Sequence, residues 1–248
     1  MNTPARLTVA NLAEVAALYS TRGRVGLEAW ANAFVKAHAR VPFGLSLEVG
    51  AHIGGSALLF GGLLEQIYGA GKCPALWSVD PYGAKPYVGG HGSDALANPP
   101  IYGDAEFRAM KFNLSRAGFH AHWLMESREF FKRMEGLSYW RPGPETQEAV
   151  DTKTGLPVHL HVGVKHTAGK NSCAFILLDG EHSADSIMDD FKGAFRWLHP
   201  NGIMVIDNID TDPYTLGRLR DEFIGGHASQ WKLELGPAEK PEWAIIST

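Results

Sequence analysis

The chain predicts a doubly wound, mostly parallel α/β sheet, and three observations predict it. Short apolar runs alternate with helix-length amphipathic segments through its middle, the pattern left by strands joined through crossover helices. Four of those runs, 43–49, 75–79, 174–178 and 202–206, end on or beside an acidic residue: Glu48, Asp80, Asp179 and Asp207. Between the last two, segment 183–198 carries Ile187, Phe191, Ala194, Phe195 and Leu198 at helical spacing. Residues 174–207 therefore read as strand, crossover helix, parallel strand, with both carboxyl ends on the same sheet edge.

The elements follow in order. Segments 9–20 and 26–39 place Leu12, Val15, Ala16 and then Leu27, Trp30, Phe34 at helical spacing, predicting a helical N-terminal cap over 1–40 ahead of a core over 41–248. The first strand, 43–49, leads through a glycine turn into a helix over 56–68, interrupted at Gly61-Gly62. The strand 75–79 ends at Asp80 and opens an insertion, 81–104, punctuated by Pro81, Pro86, Gly89, Gly90, Gly92, Pro99 and Pro100. A helix over 104–117, a strand over 121–125 and a helix over 127–134 come next. A second insertion, 136–172, holds Arg141-Pro142-Gly143-Pro144 and one alternating run, 156–164, that predicts an extra edge strand. Beyond Asn208, a helix over 216–223 and strands over 231–235 and 243–246 would close the sheet as an antiparallel hairpin. Insertions of this length inside a compact domain point to function, and both are expected to bear on substrate choice.

At 248 residues, the chain suits a single domain with a substantial core. A net charge of -4 with no run of Lys or Arg argues against nucleic acid as partner. No apolar stretch nears the roughly 20 residues a membrane span needs. Two cysteines, Cys73 and Cys173, make no disulfide framework, and the N-terminus shows no secretory signal. A cytoplasmic protein is expected.

The stretch Glu48-Val49-Gly50-Ala51-His52-Ile53-Gly54-Gly55-Ser56 lies where an open α/β sheet binds a nucleotide-like ligand. Gly50 allows a sharp turn, Gly54 and Gly55 admit a ligand close to the backbone, and the following helix N-terminus favours an anion. Tight strand–helix packing alone would also explain these glycines. The G-x-G-x-x-G spacing of a dinucleotide site is missing, because Gly50 and Gly54 are four apart. Asp80, at the next strand end, is placed to accept bonds from ribose hydroxyls, a role that several cofactors share.

Asp179 and Asp207 lie 28 positions apart, with Asn208 directly behind the second. On neighbouring strands, about 4.8 Å apart, the three would surround one point. Two carboxylates and an amide oxygen make a hard-oxygen site for Mg²⁺ or Ca²⁺. Any one of them could instead cap the next helix or face solvent.

Together these residues resemble class I S-adenosylmethionine-dependent methyltransferases of the metal-dependent O-methyltransferase type, typified by catechol O-methyltransferase. Glu48, Gly50, Gly54 and Ser56 reproduce that family's E-x-G-x-x-x-G-x-S motif. The resemblance implies a Rossmann-like, seven-stranded sheet. It also implies that Glu48, the Gly50 backbone and the His52 turn hold the methionine part, Ser56 its carboxylate, Asp80 the ribose and Ser127 the adenine. Asp179, Asp207 and Asn208 fall on the family's metal-ligand positions, with Mg²⁺, Ca²⁺ or Mn²⁺ as the implied ion and Asp179 beside the cofactor as well. The run Asp179-Gly180-Glu181-His182-Ser183 resembles the D-G-x-H-S segment of bacterial enzymes that methylate sugars and macrolides, in which the His is the proposed general base.

The implied reaction moves a methyl group from a sulfonium to a hydroxyl of a small molecule: a sugar, polyketide or phenol. His182 would take the hydroxyl proton, or would merely cap the following helix. A domain that binds the cofactor without catalysis stays open, as does a homo-oligomer built on the N-terminal helices. A nicotinamide-dependent oxidoreductase would need the missing glycine pattern. Asp185, Asp189 and Asp190 read as a solvated helix face, and His91, His120, His122, His159, His161 and His166 as surface or loop residues without zinc-ligand spacing. Tyr139 and Trp140 read as an anchor for the second insertion, and Tyr82 and Tyr87 as candidates for substrate contact.

Overall fold

A computed structural model describes residues 8–20, 23–69, 72–82, 104–114, 120–150, 155, 157–226, 230–237 and 241–248. Its first elements are α1 (Val9–Ala17), α2 (Arg24–Arg40), β1 (Leu45–Val49), α3 (Gly55–Tyr68) and β2 (Leu76–Val79). Next come α4 (Asp104–Asn113), β3 (His120–Trp123), α5 (Ser127–Arg133), β4 (Ser138–Val150) and β5 (Pro157–Thr167). The chain finishes with β6 (Cys173–Leu178), α6 (Ala184–Phe195), β7 (Leu198–Ile206), α7 (Thr215–Gly226), β8 (Lys232–Gly236) and β9 (Trp243–Ser247). Seven strands form one sheet in the order β3-β2-β1-β6-β7-β9-β8. The first five run parallel, and β9 pairs antiparallel with both β7 and β8. The doubly wound reading holds, closing hairpin included.

Alternation along the strands builds a core on each face of the sheet. Phe175 and Leu177 of β6, with Ile203 and Val205 of β7, join Trp30, Phe34 and Phe60 on the α2–α3 face. Ile176, Leu178, Met204 and Ile206 point the other way, onto Phe130, Ile187 and Phe191 of α5 and α6. Phe34 stacks on Phe60 at 4.7 Å and meets Phe175 edge-on at 4.9 Å. Burying each such ring is worth about 2–3 kcal/mol, so α2 is anchored in the core.

Where β1 presents polar residues to that face, helices answer them. Ser46 lies 2.8 Å from Nε2 of the buried His38 of α2, whose pKa burial lowers to about 3. Glu48 meets Ser56 of α3.

Three local expectations change. Helix α3 runs unbroken through Gly61-Gly62, because α1 crosses there: a Cβ on Gly62 would sit 3.0 Å from Leu12 Cδ2. Helix α4 stops at Asn113 with Leu114 in a turn, and the rest of the expected 104–117, from 115 on, lies outside the described residues. Segment 156–164 supplies no edge strand to the main sheet. β5 pairs only with β4, in a separate antiparallel ribbon whose register shifts between Pro142 and Thr146.

That ribbon follows α5 and precedes β6, so it is rooted at the amino edge of the parallel strands. Its base is tied by Gly136 N–H to Ala168 O (3.0 Å) and Ala168 N–H to Leu137 O (2.7 Å), and Tyr139 packs on Trp77 at 5.7 Å. Tyr139 is thus an anchor, as expected. The carboxyl edge, where Glu48, Asp80, Asp179 and Asp207 end their strands, is the opposite one. This second insertion is therefore rooted at the edge opposite those four strand ends. Most of the first insertion, 83–103 with Tyr87 and His91, lies outside the described residues.

Candidate functional site

Parallel register brings the ends of β1, β2, β6 and β7 side by side. Val49 pairs with Val79 and with Leu178, and Leu178 pairs with Ile206. At β1 the chain turns on Gly50, whose φ is +87°. A Cβ there would lie 1.9 Å from the Asp179 carbonyl oxygen, so only glycine permits the two strand ends to approach. The turn continues through His52, also left-handed at φ 45°, and Gly54 at φ 90°.

Beneath this turn, Glu48 is fully buried. Its Oε1 accepts from the Ser56 hydroxyl and its Oε2 from the Ser78 hydroxyl at 2.7 Å. Desolvation raises its pKa to about 7 against the pull of those two donors, with the nearby Asp80 charge raising it further. Ser56, expected to face a carboxylate, is 6% exposed and turned inward to Glu48. The N-cap of α3 is Gly54, and no side chain caps that end.

Asp80 is 8% exposed and fastens the turn. Its Oδ2 accepts from Ala51 N–H (3.0 Å) and His52 N–H (3.2 Å), and its Oδ1 from Tyr82 N–H (3.0 Å). Tyr82 donates its hydroxyl to the His52 carbonyl, and Asn113 Nδ2 donates to the Ile53 carbonyl at 2.8 Å. Burial lowers the His52 pKa, with Asp80 acting in the opposite sense. Tyr82 therefore braces the glycine turn, where the sequence suggested substrate contact.

His120 and His122 correct their surface reading. His120 Nε2 lies 2.9 Å from Ser78 Oγ, and burial lowers its pKa to about 4. His122 Nε2 lies 3.2 Å from the Asp80 carbonyl oxygen, and its ring packs against Tyr82 and Phe107. Ser78, two residues before Asp80 on the same strand face, is the part that sequence reasoning missed.

Across the sheet, Asp179, Asp207, Asn208 and His182 come together. The Asn208 backbone is left-handed at φ 56°, a conformation that Asn adopts more readily than most residues. One terminal atom of its amide lies 3.0 Å from Asp207 Oδ2, 3.0 Å from Asp179 Oδ1 and 3.1 Å from His182 Nε2. His182 Nε2 is also 3.8 Å from Asp179 Oδ1. Asp207 is 3% exposed, whereas about a quarter of the Asp179 side chain is open to solvent.

A half-turn of the Asn208 amide decides what this cluster is. Nitrogen inward, it donates to both carboxylates and to the imidazole. Oxygen inward, it completes a set of three oxygens whose 3.0 Å spacing from Asn208 matches neighbouring ligands of an octahedral ion, about 3.0 Å for Mg²⁺–O bonds of about 2.1 Å. Among the described residues, no group of three or more His, Cys, Asp or Glu side chains is arranged for a metal. The donor set here is two carboxylates and an amide, which fits a hard divalent cation.

Ser127, the expected adenine contact, opens α5 and hydrogen-bonds Asp190 of α6. Asp190 corrects the solvated-face reading: it is 7% exposed, and burial raises its pKa to about 7. Its Oδ2 would lie 3.4 Å from a Cβ on Gly180, so it sits beneath the loop that carries Asp179 and His182. Its neighbours Asp185 and Asp189 are exposed and ion-paired with Arg218 and Arg128. Ser183 caps α6 by accepting from Ser186 N–H at 3.3 Å, which leaves His182 out of the capping role.

At the other end of the edge, no side chain caps the N-terminus of α3, and Asp80 holds the preceding turn through three main-chain N–H groups. The described helices include none long and apolar enough to cross a membrane.

Comparison with known proteins agrees with this layout. Residues 47–209 match the sequence family described as a methyltransferase domain, a span that takes in every strand end above. No curated protein sequence matches the chain significantly. In structure it is similar to the O-methyltransferase NovP, at 14% identity and a TM-score of 0.59 over 92% of this chain and 81% of that one. The calicheamicin methyltransferase CalS11 is similar at 13% identity and a TM-score of 0.55, over 100% and 94% of the two chains. MycE, a methyltransferase of the mycinamycin biosynthetic pathway solved with Mg and SAH, is similar at 13% identity and a TM-score of 0.52, over 95% and 54%. With the family match covering most of the chain and the sheet order now on view, the protein belongs to the methyltransferase-domain family and has the class I S-adenosylmethionine-dependent fold that its sequence resembles.

Proposed function

We propose that the protein is an S-adenosylmethionine-dependent O-methyltransferase, assisted by a divalent metal, that acts on a hydroxyl of a small molecule such as a sugar, polyketide or phenol. One observation carries this reading: Asp179 Oδ1, Asp207 Oδ2 and His182 Nε2 converge within 3.1 Å of a single Asn208 amide atom, one strand away from the glycine turn. The magnesium and SAH found with MycE, a protein of similar fold, support the same pairing of groups.

Asp179, Asp207 and Asn208 would hold Mg²⁺, with Mn²⁺ or Ca²⁺ as substitutes. Bound there, the ion would lower the pKa of an acceptor hydroxyl and fix its direction. His182 stands beside both Asp179 and Asn208, where its imidazole would act as the general base that takes the hydroxyl proton. Nearby Asp179 would stabilise the imidazolium that results. Asp80, Tyr82 and Asn113 hold the turn that presents the cofactor. A protein that binds the cofactor without catalysis would have no need of the His182 cluster, which favours the enzyme.

The test is methyl transfer to a panel of catechols, glycosides and hydroxylated polyketides, followed by mass. Transfer should appear with Mg²⁺, vanish with EDTA and return when the ion is restored in excess. Transfer that ignores the chelator would overturn metal assistance, and cofactor binding without transfer to any acceptor class would favour the non-catalytic reading.

A further inference from the structure

His182 and Asn208 stand on different loops, and the reacting state needs them in one register. His182 lies between β6 and α6, and Asn208 between β7 and α7. With its amide nitrogen inward, Asn208 donates to His182 Nε2 and ties the loops directly. Turned oxygen inward to hold a cation, the same amide has no proton to offer an imidazole whose Nε2 lone pair must take one from the acceptor. The direct tie is therefore lost in the state that reacts, and another contact has to keep base and metal ligands aligned.

A single carboxylate provides that contact. Asp212 Oδ1 accepts from Tyr214 N–H at 2.9 Å, closing a turn within its own loop, and Asp212 Oδ2 accepts from Ala184 N–H at 3.0 Å, across to the other loop. On the Asn208 side, Thr211 N–H donates to the Asn208 carbonyl at 3.2 Å and Thr215 N–H to the Asp212 carbonyl at 3.0 Å. Asn208 and Asp212 thus belong to one run of linked turns. On the other side, Ala184 opens α6 just after His182 and Ser183. The Ser183 and Ser186 hydroxyls both donate to Glu181, at 3.2 and 2.8 Å, and brace the His182 turn from its far end. Ser183 already caps α6 through Ser186 N–H, so Asp212 bridges to a helix end that has a cap of its own.

We propose that Asp212 is a positioning residue, holding the His182 loop against the Asn208 loop so that base and metal act on the same acceptor oxygen. The inference rests on the proposed function above. Both Asp212 oxygens serve as acceptors, so asparagine is no conservative substitute: its NH₂ would have to face one of the two N–H groups. A reacting group displaced by about 1 Å can cost about 10²-fold in rate.

The experiment is a double-mutant cycle that breaks the bridge from either side. Asp212→Asn removes an acceptor. Ala184→Pro removes the donor and leaves Asp212 in place; proline suits the first position of a helix, and Ser183 before it is already extended at φ -71° and ψ 163° minus 15°, that is 148°. Each variant should lower kcat by about 10- to 100-fold, with the acceptor KM and the affinity for S-adenosylhomocysteine within about threefold of wild type. Placed in a His182→Ala background, each should cost less than about threefold, because no base is left to position. Thermal unfolding checks the fold, and either variant alone completes the cycle if the other does not fold. Losses that multiply in the His182→Ala background, or a bridge variant with wild-type kcat, would overturn the positioning role while leaving methyl transfer intact. A wild-type protein that transfers no methyl group to any acceptor would overturn both.

Discussion

The two ends of the site are built on opposite plans. At the glycine turn, acidic groups are sunk into the protein and answered from within: Asp80 by three main-chain N–H groups and Glu48 by two hydroxyls. At the ends of β6 and β7, the carboxylates of Asp179 and Asp207 gather instead around an amide that can present either a donor or an acceptor. The first end is finished before any ligand arrives. The second changes meaning with what it holds, and chemistry should be far more sensitive there than binding is.

Asp207→Ala should separate the ends most sharply. Chelator-sensitive turnover should be abolished while affinity for S-adenosylhomocysteine stays within a few-fold. Full turnover by this variant in metal-free buffer would erase the distinction between the two plans. His182→Ala should lower kcat by about 10²–10⁴, the range of a lost general base, and flatten the acid limb of the pH–rate profile. An unaltered profile would leave the imidazole a bystander.

Gly50→Ala probes the seam between the ends. Its new Cβ would collide with the Asp179 carbonyl at a left-handed φ, so urea unfolding should show a loss of about 3 kcal/mol. A loss below about 0.5 kcal/mol would mean that the two strand ends can part freely.

The smallest effect concerns Asp190, which lies below the loop that carries Asp179 and His182 yet follows the plan of the glycine turn, buried and bonded to Ser127. Its pKa is raised from 3.8 to about 7, so its contribution to stability is full below about pH 4 and is lost as pH climbs through 7. Asp190→Asn should therefore match wild type at pH 4 and exceed it by about 2 kcal/mol at pH 8. Equal stability at both pH values would show that Asp190 is hydrated.

Much of this was readable in the chain, and the failures have physical causes. The strand ends were legible because each closes an apolar run with an acid, and the 28-residue interval admits little besides a crossover helix. Asp190 was misread although it stands at i+3 from Ile187 and i−4 from Ala194, on the apolar stripe itself. A polar residue on such a stripe is a signal of a buried bond. His120 and His122 were misread because a four-residue strand beside an insertion shows too little alternation to assign a face. The ribbon hid behind Pro142, Gly143 and Pro144, residues that ordinarily end strands and here coincide with its register shift. No periodicity could reveal that Leu12 would close over Gly62, since that contact joins elements fifty residues apart.

The tie between Gly136 and Ala168 has a practical corollary. It clasps the ribbon at its neck, at the amino edge of the parallel strands, so the reacting groups at the opposite edge do not depend on how the ribbon is rooted. A fluorescent reporter or an affinity handle attached at Gly136 would therefore sit across the sheet from them.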